Sequence, residues 1–172
     1  MKVLLLNGSP RKNGCTYTAL NVVADALKAE GIDAEVFQAG DPDMENVKAA
    51  AAKLKDSDAL VVGSPVYWAS PSGQIIEFMD RLASVAGKDM LYKPAAAVAS
   101  ARRAGTTATL DVLTKYFSYH QMPVVSSCYW NMVHGNTPEE VMKDEEGVQI
   151  MRVLGKNMAW LLKCIEAGKK NG

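Results

Sequence analysis

Short apolar runs alternate with amphipathic stretches along most of this chain, and that alternation constrains the fold more than any other feature. Lys2 to Asn7 and Ala59 to Gly63 are near-continuous apolar runs, the pattern of strands covered on both faces. Asp33 to Gln38, Pro94 to Ala99 and Pro123 to Cys128 are shorter strand candidates. Between them lie four stretches with helical signals: Thr16 to Glu30, Asp43 to Asp56, Ser72 to Ala86 and Thr106 to Gln121. Leu20, Val23, Ala24 and Leu27 recur at helical spacing in the first, and Gly31 stops it. Ile75, Ile76, Met79 and Leu82 share a face of the third. A long amphipathic segment, roughly Glu146 to Ala167, closes the chain. Five strands alternating with five helices predict an α/β domain built on a parallel sheet with right-handed crossovers.

The 172 residues suffice for one domain with a sizeable core, and no repeat, low-complexity tract or linker divides them. A single domain over residues 1–172 is the expectation. The formal net charge is zero, which argues against nucleic acid or an anionic membrane as the main partner. It argues more weakly against an electron carrier that docks through an acidic face. No apolar run reaches the length that crosses a bilayer, and the opening apolar stretch is too short for a signal peptide. Cys15, Cys128 and Cys164 are odd in number and far apart, so they outline neither a disulfide framework nor a metal-ligand spacing. A cytoplasmic location fits.

In open parallel sheets ligands bind beyond the carboxyl ends of the strands, and three loops leaving those ends carry unusual chemistry. The first runs from Asn7 to Thr16 (Asn-Gly-Ser-Pro-Arg-Lys-Asn-Gly-Cys-Thr). Ser9, Asn13 and Thr16 offer short polar groups, Gly8 and Gly14 allow close backbone approach, and Arg11 suits two phosphate oxygens. The following helix adds free N–H groups and a positive dipole end. This is chemistry for a terminal phosphate, although neither the Gly-Lys-Ser/Thr of a triphosphate loop nor a dinucleotide glycine fingerprint is present. The plainer reading is a polar turn with Thr16 as a helix cap. The second loop, Ser64 to Gly73, sets Tyr67 beside Trp68 between two prolines, as stacking against a flat ligand would use. The alternative is that one of the rings folds back into the core. The third, Ser100 to Thr107, places Arg102 and Arg103 among small residues before a helix. Its N–H groups and charge suit an anion forming on a ring, and two solvated arginines are the plainer alternative. A phosphate loop, an aromatic platform and an electrophilic loop together describe a flavin mononucleotide (FMN) site. Tyr129 to Glu146 shows no clear periodicity, and loops of that length in compact domains are often functional.

On these residues the chain resembles the flavodoxin-like NADPH-dependent FMN reductases, in the branch that includes the iron–sulfur flavoproteins. The resemblance rests on Gly8 to Gly14, on Ser64 to Trp68 through Gly73 and Asp80-Arg81, on Ser100 to Gly105, and on Tyr129 to Gly135. It implies a flavodoxin-like three-layer sandwich with a five-stranded parallel sheet in the order 2-1-3-4-5. It implies FMN as cofactor, with Ser9, Arg11, Asn13, Gly14, Cys15 and Thr16 at the phosphate. Pro65, Val66, Tyr67 and Trp68 would line the isoalloxazine, and Ser100, Arg103, Ala104 and Gly105 its pyrimidine side. It further implies NADPH or NADH as co-substrate, a small-molecule electron acceptor such as a flavin or quinone, and a homodimer or higher homo-oligomer. The chemistry would be borne by the flavin, with His134 as a candidate acceptor contact or a structural histidine. His120 looks structural, and Trp160 suits a core or an interface. A non-enzymatic FMN electron carrier and a module that has lost its flavin are the competing functions.

Two departures from the family pattern stand out. Cys15 occupies a position where relatives often have Asn, so one phosphate contact is weakened; the helix start would lower its pKa and a bound phosphate would oppose that. The iron–sulfur members carry a cysteine cluster between the second and third strands. Here that region reads Phe37-Gln38-Ala39-Gly40-Asp41-Pro42-Asp43-Met44-Glu45, without cysteine, so no cluster is expected.

Overall fold

The computed structural model describes residues 1–171. Its strands are β1 (Lys2–Asn7), β2 (Asp33–Gln38), β3 (Ala59–Tyr67), β4 (Ser70–Pro71), β5 (Ala95–Ala101) and β6 (Met132–His134). Its helices are α1 (Cys15–Ala29), α2 (Met44–Lys55), α3 (Gly73–Met90), α4 (Thr106–Tyr119), α5 (Pro138–Lys143) and α6 (Glu145–Asn171). The sheet order is β2-β1-β3-β5-β6, all parallel, with the two-residue β4 folded antiparallel onto the end of β3. Counting the parallel strands alone, this is the expected order 2-1-3-4-5 of a flavodoxin-like sheet.

Strand alternation sorts the core into two layers. Val3, Leu5, Val61, Ala96 and Val98 face α1 and α6, meeting Leu20, Val23, Leu27, Met151, Leu154 and Met158. Leu4, Leu6, Leu60, Val62, Ala95 and Ala97 face α2, α3 and α4, meeting Leu54, Phe78, Leu82, Leu113 and Phe117. Because β1, β5 and most of β3 are buried on both faces, their sequences read as near-continuous apolar runs.

The far edge differs from the sequence expectation. Pro123 to Cys128 is not a strand: it contributes one bridge, Ala95 to Val124, and then leaves the sheet. Pairing with β5 resumes only at Met132. In the gap the Asn131 side chain acts as a strand would, its amide Nδ2 donating to the Ala97 carbonyl at 3.0 Å. The aperiodic stretch from Tyr129 onward also contains more order than its sequence suggests, since β6, α5 and the start of α6 lie within it. Trp160, on α6, is exposed and takes no part in the core.

Candidate functional site

A helix leaves its first N–H groups without intrahelical partners, and a side-chain cap normally satisfies one or two of them. Four helices here are capped in that way. Asp43 accepts from Glu45 and Asn46 on α2, Ser72 from Ile75 on α3, and Thr137 from Glu140 on α5. Asp144 accepts from the Gly147 N–H at the start of α6. The two exceptions are α1 and α4, whose N-caps are Gly14 and Gly105 and which have no side-chain cap bond. Both begin at loops that leave the carboxyl ends of β1 and β5, the two central strands on either side of β3. Thr16 does not cap α1; it lies inside the helix, buried, with Oγ1 2.7 Å from Ser100 Oγ.

A cavity of about 190 Å³ lies between these loops. Ser9, Arg11, Cys15 and Thr16 come from the β1–α1 loop and the first turn of α1, and Pro65, Val66 and Tyr67 from the end of β3. Ser100, Ala101 and Arg102 close it from β5, and Gly135 and Asn136 from the turn after β6. Two guanidinium-bearing residues and no carboxylate stand in this wall. Together with the uncapped start of α1 they give it a positive character suited to an anion.

The turn that carries Ser9 and Arg11 is held by hydrogen bonds from behind. Asn7, fully buried, donates through Nδ2 to the carbonyls of Arg11 and Lys12 and accepts the Ser9 N–H through Oδ1. Ser9 Oγ accepts the Arg11 N–H at 3.1 Å. Gly8 is required by packing, since a Cβ there would sit 2.6 Å from Ile75 Cβ and 2.7 Å from the Gly63 carbonyl.

The aromatic loop is a tight hairpin. Val66 and Tyr67 pair with Pro71 and Ser70, and the two residues between them, Trp68 and Ala69, have φ of 53° and 57°. Two consecutive positive φ values are the signature of a type I′ turn, usually occupied by Asn and Gly. Holding it with Trp and Ala costs about 1–2 kcal/mol per residue in backbone strain. The result is a Trp68 side chain held 100% exposed, with Tyr67 41% exposed beside the cavity. Gly105 backs this hairpin at φ 102°, where a Cβ would approach Ala69 Cα to 2.9 Å.

The structure therefore gathers Ser9, Arg11, Cys15, Thr16, Pro65, Val66, Tyr67 and Ser100 on one cavity wall. Asn13 and Gly14 lie on the adjoining turn, and Trp68, Arg103, Ala104 and Gly105 lie on the flanking loops, outside the wall itself. Ala101, Gly135 and Asn136 are wall residues that the sequence did not single out as ligand contacts, and of the two arginines of the third loop it is Arg102, not the Arg103 that the resemblance implied, that lines the wall. Adjacent arginines look alike in sequence, and only the folded loop shows which of the two lines the cavity. Cys15 donates its thiol to the Gly135 carbonyl at 3.6 Å. Burial is the largest influence on it and pushes its pKa up, outweighing the lowering by a backbone hydrogen bond and by Arg11. His134 stands just outside the wall, its backbone N–H donating to Asp144 Oδ2 at 2.7 Å. His120 packs under α4 with Nδ1 2.8 Å from the Tyr116 carbonyl.

A doubly covered parallel sheet in this order, with a cavity at the carboxyl ends of β1, β3 and β5, defines a flavodoxin-like fold. The chain belongs to the NADPH-dependent FMN reductase family, whose model matches residues 1–137. It is 29% identical to an iron-sulfur flavoprotein of Methanocaldococcus jannaschii, over 96% of this chain and 100% of that protein. It is 30% identical to an NADPH azoreductase of Bacillus sp., over 59% of each chain. Among solved structures, a flavodoxin from the domain Archaea superposes with a TM-score of 0.73 at 18% identity, covering 95% of this chain and 99% of that one. A WrbA-like flavodoxin from Agrobacterium tumefaciens gives 0.74 at 18% identity, covering 94% and 96%. At such identity these two likenesses speak for the fold alone.

Proposed function

We propose that this protein is an FMN-dependent oxidoreductase that takes reducing equivalents from NADPH or NADH and delivers them to a small electron-poor acceptor, such as a flavin, a quinone or an azo compound. The observation that carries this reading is the pair of uncapped helix starts, α1 and α4, flanking a cavity that also holds Arg11. The residues present fit FMN. Arg11, Ser9 and the N–H groups at the start of α1 would hold its phosphate. Pro65, Val66 and Tyr67 would face the ring system, and Ser100, Ala101 and Arg102 would close its far side. When bound, FMN supplies the capacity to accept a hydride and pass electrons onward. The chain supplies position, a wall that excludes water on one side, and positive potential from Arg102 where negative charge develops on reduction.

No acid–base pair is needed, and His134 is kept as a candidate acceptor contact only through its place beside Gly135. An iron–sulfur cluster does not fit the residues present. Cys15, Cys128 and Cys164 lie on α1, on the loop before β6 and on α6, and no group of three or more His, Cys, Asp or Glu among the described residues could hold a metal ion. Among those residues no helix is long and apolar enough to cross a membrane. The neutral charge balance accords with a cytoplasmic reductase that binds neither nucleic acid nor an anionic membrane, and a homo-oligomer is part of the same proposal.

Purified protein should show a flavin absorption spectrum that bleaches anaerobically on adding NADPH or NADH, and it should oxidise the nicotinamide steadily when free flavin or a quinone is supplied. A flavin spectrum without nicotinamide oxidation would instead mark an electron carrier. Failure to retain added FMN would remove the redox reading altogether.

A further inference from the structure

The phosphate turn is fastened from outside the site. Asn7 and Gln38 are the last residues of β1 and β2 and face each other in register. Asn7 Nδ2 donates to Gln38 Oε1 at 2.7 Å, and Gln38 Nε2 donates to the Ser9 carbonyl at 2.6 Å. Gln38 is itself held from α2, whose Asn46 donates Nδ2 to the carbonyls of Gln38 and Asp41. Arg81 of α3 reaches the Pro42 carbonyl in the same segment. The fit is close: a Cβ on Gly40 would lie 2.0 Å from the Ser9 carbonyl oxygen. Thus the end of β2 and the loop that follows lie directly against the turn, Gly40 packing on the Ser9 carbonyl and the Gln38 amide hydrogen-bonding it.

We propose that Gln38 is a positioning residue for phosphate recognition, setting the Ser9–Gly14 turn in its anion-binding shape before the ligand arrives. This rests on the reading that the turn takes the FMN phosphate. The Ser9 carbonyl, if not held by Gln38 Nε2, is free to rotate the Ser9–Pro10 peptide toward the cavity, where a carbonyl oxygen would repel the phosphate. Gln38 thereby orients an acceptor away from the anion and leaves the donors facing it. The Oε1 contact works in the same direction, since Asn7 must stay in place to hold the Arg11 and Lys12 carbonyls. An amide serves where a carboxylate does not, because one atom must accept from Asn7 while the other donates to Ser9.

The test compares FMN with riboflavin, which lacks the phosphate, by fluorescence titration of apoprotein. Gln38→Met keeps the side-chain length and removes both hydrogen bonds. Gln38→Glu keeps the acceptor and loses the donor. Each should weaken FMN binding roughly 10-fold or more, as loss of one or two net hydrogen bonds implies. Riboflavin binding should stay within a factor of about two, and backbone amide exchange across Ser9–Gly14 should quicken in the apoprotein. Equal losses for both ligands would show a general structural role and overturn the proposal, as would no loss for either. Should the unaltered protein bind the two ligands equally, the phosphate reading fails and this inference with it. If Gln38→Met does not fold, Gln38→Glu carries the same comparison.

Discussion

Thr16 Oγ1 and Ser100 Oγ lie 2.7 Å apart, buried, and join the first turn of α1 to the end of β5 across the floor of the cavity. Neither hydroxyl caps a helix, and neither belongs to the same loop as the other. The bond fixes the spacing between the phosphate-side wall and the ring-side wall.

The two hydroxyls should therefore be coupled. Thr16→Val leaves the Ser100 hydroxyl without this partner and should cost about 1–3 kcal/mol, whereas Thr16→Val with Ser100→Ala removes the polar need as well. In a double-mutant cycle followed by urea unfolding, the paired substitution should cost less than the two singles together by about 1 kcal/mol. Strict additivity would show that the hydrogen bond contributes nothing.

Arg11 and Arg102 share the cavity wall, but only Arg11 comes from the turn at the start of α1. Arg11→Ala should raise the FMN dissociation constant by roughly 10- to 100-fold, the usual cost of losing a charged hydrogen-bond partner. Arg102→Ala should change it far less and should act on the rate of flavin reduction by NADPH. Equal dissociation constants in the two variants would contradict the phosphate assignment.

Glu35, on the edge strand β2, is paired with Lys53 at 2.6 Å and Lys2 at 2.9 Å. The hydrogen bonds from Lys53 and Lys2 hold its carboxyl below the usual carboxylate range. A folded-state pKa below the unfolded one means that the contribution is complete above the unfolded value and is lost as pH falls through the folded one. The melting-temperature deficit of Glu35→Gln should thus be present at pH 7 and fade in acid, below the ordinary glutamate range. It should be small, because a partly exposed pair is screened, and it should shrink further with added salt. A deficit unchanged by acid would rule out the ion pairs as its source.

Cys15 is partly buried and its thiol is kept protonated by burial, while Cys128 and Cys164 are exposed. Alkylation at pH 7.5, followed by peptide mass spectrometry, should modify Cys128 and Cys164 first and Cys15 slowly. Bound FMN should slow Cys15 further. Rapid, selective modification of Cys15 would show instead a thiolate stabilised at the helix start.

Much of the architecture is legible in the sequence because the signals are local. The periods of strand and helix and the double burial of β1, β3 and β5 are each decided within a few residues. What was not legible depends on contacts between distant segments. Pro123 to Cys128 has strand composition, yet pairing at an edge is set by the single neighbour β5, and Asn131 replaces the missing rung. The hairpin at Trp68 and Ala69 lacks the glycine or asparagine that would announce it; it forms because β4 returns onto β3.

The sequence by itself determined the layered α/β fold, the three strand-end loops and the residue types at the site, since periodicity and composition are properties of the local chain. Tertiary structure alone decided which arginine of the pair lines the cavity, that Gly135 and Asn136 close it, and that Gln38 braces a turn 29 residues away from it in sequence. The physical reason is the parallel register of β1 with β2, which sets Gln38 opposite Asn7. No local pattern encodes an amide that must accept from one strand and donate to the turn beyond it.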